Sequence, residues 1–546
     1  MHGSANRAIQ EKFQQQDWPR VVHLAQPLPA LAPDDEFALG MALAHLGRLA
    51  DAERALRAGE HQCPDDKRFP TELAGVAFEQ KRYPDAARWL RRARRIDPND
   101  DYVSNFLGTV YFLSGNLDAA LQVWNHIHKP TIDNLDLDPH LRMQRLLLER
   151  AFAFSPHAVL EEPQFATTAI RLDGLGIFPG WSLHLNAVPD GQFDAVFRAQ
   201  EQDGFGASPL EAAVSTFGGL PYETIYPSYA DIHHSAMNVE SLLRWDAQKR
   251  RAWASLSAPL NYLPWWRWQI DADLRNENWA VRRSFTGTAP VLASLNLERE
   301  SLDATLTSLS TARLQWSVGG EMAHRNFRSV VPGAALTAPL LTAGFELRQI
   351  ASVRAPLLHL PQRRFTLDGT GSSALARTFS SPSYASETLQ GSALADWFPQ
   401  MEGDRYELTQ QLRGGKIFGT VPFDDLFLFG MDRDDTNLWL RAHLATRDGR
   451  KGSAPIGDGY FLSNTDFYRR LYTNGLLTIH VGPLLDIGRM TAPNSGLSTQ
   501  QWLLDAGVEA RLTVLHTRVV LSYGRDLRSG ANAFYGTAAP PAMTLP

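Results

Sequence analysis

The sequence predicts a multidomain chain: an α-helical repeat solenoid, then a small α+β module, then a large antiparallel transmembrane β-barrel of about 16 strands. Three observations predict this order. A 34-residue period runs through the first part, a helix and a two-strand pattern occupy the middle, and short alternating strands fill the rest. We assign residues 1–135 to the solenoid, 140–203 to the module, 204–536 to the barrel and 537–546 to a C-terminal tail.

The composition is that of a folded protein without a dominant charge. Of the 546 residues, 21% are charged, and the net charge is −6. Nucleic-acid-binding proteins concentrate positive charge, so we expect no nucleic-acid partner. The single cysteine, Cys63, excludes an internal disulfide and a cysteine-rich metal site. No apolar run of about 18 residues is present, so no spanning helix is expected. The N-terminus lacks the apolar stretch of a secretory signal.

Residues that recur every 34 positions indicate repeated pairs of helices. Each repeat has a leucine followed by a small residue, with an alanine thirteen positions after the leucine. The packing positions are Leu39, Gly40, Ala52, Leu73, Ala86, Leu107, Gly108 and Ala120. Small residues let two helices cross closely, and the leucines fill the space between them. The pattern resembles the tetratricopeptide repeat (TPR), with a degraded half-repeat near Trp18 as its cap. The resemblance implies a groove that docks a peptide or partner protein; a spacer role is the alternative.

A different pattern occupies residues 143–203. The segment MQRLLLERAFAFSP is predicted to be a strand, and PQFATTAIRLDGLG a helix. WSLHLNAVPDGQFDAVFRAQ is predicted to be a hairpin that turns at Pro189-Asp190-Gly191. Leu175-Gly176-Ile177-Phe178 and the ribbon after it resemble the end of a polypeptide-transport-associated (POTRA) domain. This resemblance implies a free strand edge that pairs with an extended chain. An ordinary α+β linker domain is the alternative.

Alternating strands dominate the chain from Gly204 onwards. In the segment 265–274, Trp266, Trp268 and Ile270 alternate with polar residues. A soluble β-sandwich and a membrane barrel both produce this periodicity. Clustered tryptophans, charges at the centres of strands and a length of roughly 340 residues favour a barrel of about 16 strands.

Three segments near the C-terminus form a recognisable series. Phe427-Leu428-Phe429-Gly430 ends an aromatic strand, Leu440-Arg441-Ala442-His443 follows in a long loop, and Leu484, Asp486 and Gly488 lie on a later strand. The series resembles the surface-antigen (BamA-like) superfamily of outer-membrane assembly and secretion barrels. There the loop folds back into the barrel and carries a Val-Arg-Gly-aromatic tip, and the later strand reads Phe-x-Asp-x-Gly. Ala442, His443 and Leu484 depart from that pattern.

The resemblance implies that Arg441 and Asp486 form a functional pair inside the barrel. An arginine away from bulk water needs a carboxylate partner, and a bidentate pair would fix the loop. The resemblance also implies an outer-membrane location with periplasmic N-terminal domains. Its expected partners are membrane lipids and periplasmic proteins or unfolded, extended client polypeptides, which pair at a weak seam between the first and last strands.

Two other functions remain open. An exopolysaccharide export porin also joins TPR repeats to a 16-strand barrel, but it needs neither a POTRA module nor an arginine-tipped loop. A soluble TPR adaptor fused to a β-sandwich is the third possibility, because no leader is visible. We expect no enzyme activity, cofactor or metal, since the sequence has no nucleophile elbow or phosphate-loop lysine, and His233-His234 lacks a third ligand.

Overall fold

A computed structural model describes residues 2–206, 208–282, 290–331, 333, 336–400, 403–432, 438–492, 497, 500–514 and 517–539. Within these ranges the chain forms a helical array, a three-stranded sheet with two helices, and a closed barrel. The predicted fold class is therefore confirmed. No helix in this part of the chain is long and apolar enough to cross a membrane.

Eight helices form the N-terminal array. They are α1 (His2–Gln14), α2 (Trp18–Ala25), α3 (Pro33–His45), α4 (Leu49–Gln62), α5 (Arg68–Glu79), α6 (Tyr83–Ile96), α7 (Asp101–Leu113) and α8 (Leu117–Trp124). The three leucines of the repeat occupy equivalent places in α3, α5 and α7, and all three are buried. The half-repeat predicted near Trp18 is a complete helix pair, α1 and α2.

Small residues bring the two helices of a repeat into close contact. A Cβ added at Gly40 would lie 2.5 Å from Leu56, and one added at Gly108 would lie 2.3 Å from Trp124. Both distances are shorter than a van der Waals contact, so a larger residue would push the helices apart. The repeated alanines Ala52, Ala86 and Ala120 are fully buried. Close packing therefore explains the sequence period.

The small module contains β1 (Ile132–Asp136), α9 (Arg145–Ala151), α10 (Glu162–Leu175), β2 (Gly180–Ala187) and β3 (Phe193–Gln200). Strand β3 lies between β1, which is parallel to it, and β2, which is antiparallel. The helix predicted before the hairpin and the hairpin itself are confirmed.

Two features of the module differ from the prediction. The predicted strand MQRLLLERAFAFSP is wrong, because its centre is the helix α9. Leu147, Leu148 and Ala151 are buried at helical spacing, which places one apolar face on the core. Strand β1 was not predicted, and all of it except Asp136 falls within the range 1–135 that was assigned to the solenoid.

The remaining elements are one helix that precedes the barrel, the strands of the barrel wall and the short strands of its long loop. They are α11 (Pro209–Phe217), β4 (Thr224–Ile225), β5 (Ser228–Ile232), β6 (Met237–Trp245), β7 (Lys249–Leu260), β8 (Leu263–Arg282), β9 (Val291–Thr311), β10 (Leu314–Val331), β11 (Gly344–Leu360), β12 (Phe365–Phe379), β13 (Tyr384–Trp397), β14 (Tyr406–Gly419), β15 (Phe427–Leu428), β16 (Thr446–Arg447), β17 (Arg450–Lys451), β18 (Ile456–Gly457), β19 (Gly459–Thr473), β20 (Leu477–Thr491), β21 (Trp502–Val514), β22 (Thr517–Asp526) and β23 (Asn532–Ala539).

The barrel closes where β23 meets β4. Strands β4 and β5 both pair with β6 and so act as one interrupted strand. With β6 to β14 and β19 to β23, the described wall has 15 strands where about 16 were predicted. Gly204 adds a bridge to Ala230 on β5. Residues 537–539 of the predicted tail belong to β23, and its remainder lies outside the described residues.

The two faces of the wall differ in polarity. Large apolar side chains on the outer face are 42–51% exposed, among them Ile270, Leu302, Val318, Met322, Leu347 and Val353. Charged side chains on the inner face, such as Asp271, Arg325 and Glu346, are buried. A protein in water rarely exposes so wide an apolar surface, whereas a membrane barrel requires one. This arrangement excludes the soluble β-sandwich.

The solenoid and the module lie against the same end of the barrel. Arg267 on β8 donates from Nη1 to the carbonyl of Gly174, at the end of α10, over 2.7 Å. Arg171 on α10 donates to the carbonyl of Ser310 on β9 over 2.9 Å. Asn116, next to α8, donates to the carbonyl of Pro361 between β11 and β12 over 2.8 Å. Polar contacts thus join all three parts.

Candidate functional site in the barrel lumen

The described parts of the loop between β14 and β19, residues 420–432 and 438–458, lie inside the barrel. Its strand β17 pairs with the wall strand β8 at Lys451 and Trp279. Phe429 is fully buried in an apolar cluster that also contains the wall residues Leu462 and Met490. The loop therefore folds back into the lumen and packs on its inner face.

Arg441 reaches three carboxylates in this lumen. Its Nη2 lies 2.5 Å from Oδ1 of Asp486, and its Nε donates to Oδ2 of the same residue over 2.9 Å. Its Nη1 lies 2.5 Å from Asp466 and 3.0 Å from Glu509. The structure thus brings together the two residues that the sequence paired, in a bidentate arrangement. Such ion pairs are strong when the groups are buried, and Arg441 is 3% exposed.

The three carboxylates come from adjacent strands and are held by further polar groups. Asp466 lies on β19, Asp486 on β20 and Glu509 on β21. Asn464 donates to Asp486 over 2.7 Å, and Tyr468 donates to Glu509 over 2.6 Å. A second cation is also present: the Arg511 guanidinium lies 3.0 Å from Glu509. These contacts pre-orient the acidic wall toward the loop.

The residues that follow Arg441 are fixed by a fourth carboxylate. The backbone N–H of Ala442 donates to Oδ2 of Asp505 over 2.7 Å, and Nδ1 of His443 lies 3.1 Å from the same oxygen. His443 is buried, where the family pattern has an aromatic residue. These polar contacts therefore tie the loop to β21.

The remaining motif residues form the apolar surroundings of the site. Leu440 is fully buried, and Leu484 faces inward on β20. A Cβ added at Gly488 would lie 3.0 Å from Phe429 and 3.3 Å from Leu440. The loop thus packs tightly on the strand that carries Asp486.

Sequence analysis missed the partners Asp466, Glu509 and Asp505, and also Gly524 on β22. A Cβ added at Gly524 would lie 2.3 Å from the carbonyl oxygen of Arg441. A glycine inside a strand marks a close approach of another backbone, and that signal was present in the sequence. The three acidic residues offered no such signal, because charged residues on the inner face of the barrel recur at every second position along the strands.

A second part of the loop is tied to β7 and β8. Nζ of Lys249 lies 2.9 Å from Asp432 in the loop, and Nζ of the loop residue Lys451 lies 2.7 Å from Glu277. Lys451 is 1% exposed, so it is a structural contact rather than a solvated charge. Within the described ranges no group of side chains has the arrangement of a metal site.

The family comparison identifies the helical array. A tetratricopeptide repeat model matches residues 37–101. These residues are TPR repeats. The match covers the helices α3 to α6 and agrees with the 34-residue period of the sequence. No curated protein is detectably similar in sequence to the chain.

Solved barrels resemble the chain at low identity. BamA from Haemophilus ducreyi lacking POTRA domains 1–3 is 10% identical, with a TM-score of 0.41, over 75% of this chain and 84% of that chain. CdiB from Escherichia coli is 10% identical, with a TM-score of 0.47, over 76% and 74%. CdiB from Acinetobacter baumannii is 12% identical, with a TM-score of 0.45, over 75% and 73%.

Proposed function

We propose that the chain is an outer-membrane barrel of the BamA-like type that inserts or translocates polypeptides. The observation that supports this most strongly is the arginine-tipped loop inside the barrel, with Arg441 paired to Asp486. In this proposal the barrel lies among membrane lipids, which contact its exposed apolar belt. The TPR repeats and the POTRA-like module extend into the periplasm from one mouth.

The seam between β4 and β23 is the proposed place of action. Strand β4, the part of the interrupted first strand that neighbours β23, has only two residues, Thr224 and Ile225, whereas β23 has eight. A short ladder has few hydrogen bonds, so this junction opens more easily than the long ladders elsewhere. An extended client then pairs through its backbone with the freed edge, which needs no cofactor and no particular client sequence.

The N-terminal parts supply two surfaces for clients or periplasmic proteins. The TPR array presents its groove, and the module presents β2, which lies at the edge of its sheet because β3 occupies the centre. An edge strand accepts an additional strand through its backbone. The filled lumen weighs against the exopolysaccharide porin, because the loop and its apolar cluster occupy the path that a sugar chain needs.

The proposal predicts catalysed folding of a client barrel. The purified chain is reconstituted in liposomes, and a urea-unfolded outer-membrane protein of eight strands is added. We expect the client to fold about tenfold faster than in protein-free liposomes, because the seam lowers the barrier to insertion. Heat-modifiable gel mobility of the client measures the rate.

Two controls separate the candidate functions. Liposomes that contain an unrelated porin should give the protein-free rate. A correctly folded chain that leaves client folding unchanged contradicts the proposal. If the same liposomes release trapped dextran without helping the client, the export porin is supported instead.

A further inference from the structure

A second ion cluster holds the beginning of the loop. Asp424 and Asp425 lie in the short turn that follows β14 and face three arginines on the wall. Arg325 on β10 lies 3.0 Å from Asp424 through Nε and 3.3 Å from Asp425 through Nη2. Arg348 on β11 lies 2.5 Å from Asp425, and Arg299 on β9 lies 3.3 Å from Asp424. The Arg325 side chain is fully buried.

The charge balance of this cluster depends on the loop. Two wall carboxylates, Glu321 and Glu346, form ion pairs with these three arginines. The loop adds two more with Asp424 and Asp425. Taking the acidic pair away would remove half of the carboxylates that pair with these arginines, which is unfavourable away from bulk water. The loop therefore completes this part of the wall.

The start and the tip of the loop form ion pairs with the wall in which the charges are reversed. At the tip, the loop provides the cation Arg441 and the strands β19 to β21 provide carboxylates. At the start, the loop provides carboxylates and the strands β9 to β11 provide arginines. The centres of the two groups are six strands apart in the described wall of 15, so they lie on nearly opposite sides. The loop spans the lumen between them.

We propose that Asp424 and Asp425 are positioning residues that form a second clasp for the loop, independent of Arg441. The loop leaves the lumen only when both clasps are released. The role of loop withdrawal rests on the proposed function, because the lumen must open to admit a client polypeptide. The clasp itself is a property of the loop and is measurable without any client.

Accessibility of a cysteine in the loop tests the clasp. Cys63→Ser removes the natural thiol, and Ala454→Cys introduces one at a loop position that is 1% exposed. The rate of labelling by a polyethylene-glycol maleimide is measured in liposomes. We expect Asp424→Asn with Asp425→Asn to raise this rate about tenfold, and addition of Arg441→Ala to raise it further by the factor that Arg441→Ala produces alone, as two independent contacts require.

Asp368→Asn is the matched control. Asp368 on β12 pairs with Arg354 on the neighbouring wall strand β11 at 2.9 Å. It should leave the labelling rate unchanged. Asp425→Glu keeps the charge and should label close to the parent rate, which a mere packing role would not predict.

Three outcomes overturn the second clasp. They are an unchanged rate in the double asparagine variant, an equal increase in Asp368→Asn, and no further increase when Arg441→Ala is added to the double asparagine variant. Heat-modifiable gel mobility checks that each barrel is folded. If the double variant does not fold, the single variant Asp425→Asn is used in its place. Because labelling needs no client, a failure of catalysed folding leaves this test intact.

Discussion

Arg441→Ala is expected to lower the free energy of unfolding by about 3–5 kcal/mol and to abolish catalysed client folding. The change leaves Asp466, Asp486 and Glu509 buried around the cavity, with Arg511 still beside Asp466 and Glu509. The ladders between β19, β20 and β21 do not involve this side chain, so the barrel should still close. Urea titration followed by tryptophan fluorescence measures the change in stability.

The matched control is Arg354→Ala, which breaks an Arg–Asp pair that is half-exposed. Exposed pairs contribute about 0–1 kcal/mol, so this variant should resemble the parent. Arg441→Lys keeps the charge but loses the bidentate geometry, and its stability should fall between the two. Equal stability of Arg441→Ala and Arg354→Ala would contradict the assignment of Arg441 as the anchor of the loop.

Gly524→Ala is expected to displace the loop tip from its contact with β22. The new Cβ would lie 2.3 Å from the carbonyl oxygen of Arg441 and 2.8 Å from the backbone nitrogen of Ala442. Backbone atoms cannot move aside as a side-chain end can, so the tip must shift and Arg441 loses its carboxylates. We expect a cost of about 1–3 kcal/mol and client folding close to the uncatalysed rate.

Limited trypsin digestion measures this displacement, because Arg441 becomes a cleavage site once it leaves the lumen. The parent chain should resist cleavage there. Gly371→Ala is the control, since a Cβ at Gly371 meets its nearest neighbour, Val353, at an ordinary 3.7 Å. Protection of Arg441 in Gly524→Ala would show that the tip does not rest on β22.

Local periodicity was sufficient to predict most of the fold. The 34-residue period indicated helix pairs because Gly40 and Gly108 allow close crossings, and these contacts are present. Short apolar runs were less informative. The run Leu146-Leu147-Leu148 fits a strand or a helix equally well, and burial in three dimensions decides between them. Strand β1 has one fully buried residue, Ile132, and its partner β3 is some 60 residues away in sequence.

The site was predictable only where a motif marked it. Arg441 and Asp486 stood in recognisable segments, and the structure places them in contact. In sequence, Asp466 and Glu509 cannot be told from Asp271, because all three are inward-facing acidic residues on strands with alternating polarity. Only the register of the barrel strands determines which of them contact Arg441. Long-range register is not encoded in local spacing, and the pair Asp424-Asp425 was overlooked for the same reason.

A disulfide between the loop and the wall tests most directly whether the loop lies inside the barrel. Trp279 on β8 and Lys451 on β17 are bridge partners, so cysteines at these positions have the separation that a disulfide needs. In a Cys63→Ser background, Trp279→Cys with Lys451→Cys should form an intramolecular disulfide on mild oxidation of the folded protein. Trp253→Cys with Lys451→Cys should stay reduced, because Trp253 pairs with Asp273 farther along the wall. Absence of the first disulfide in a chain with heat-modifiable mobility would contradict a loop held in the lumen.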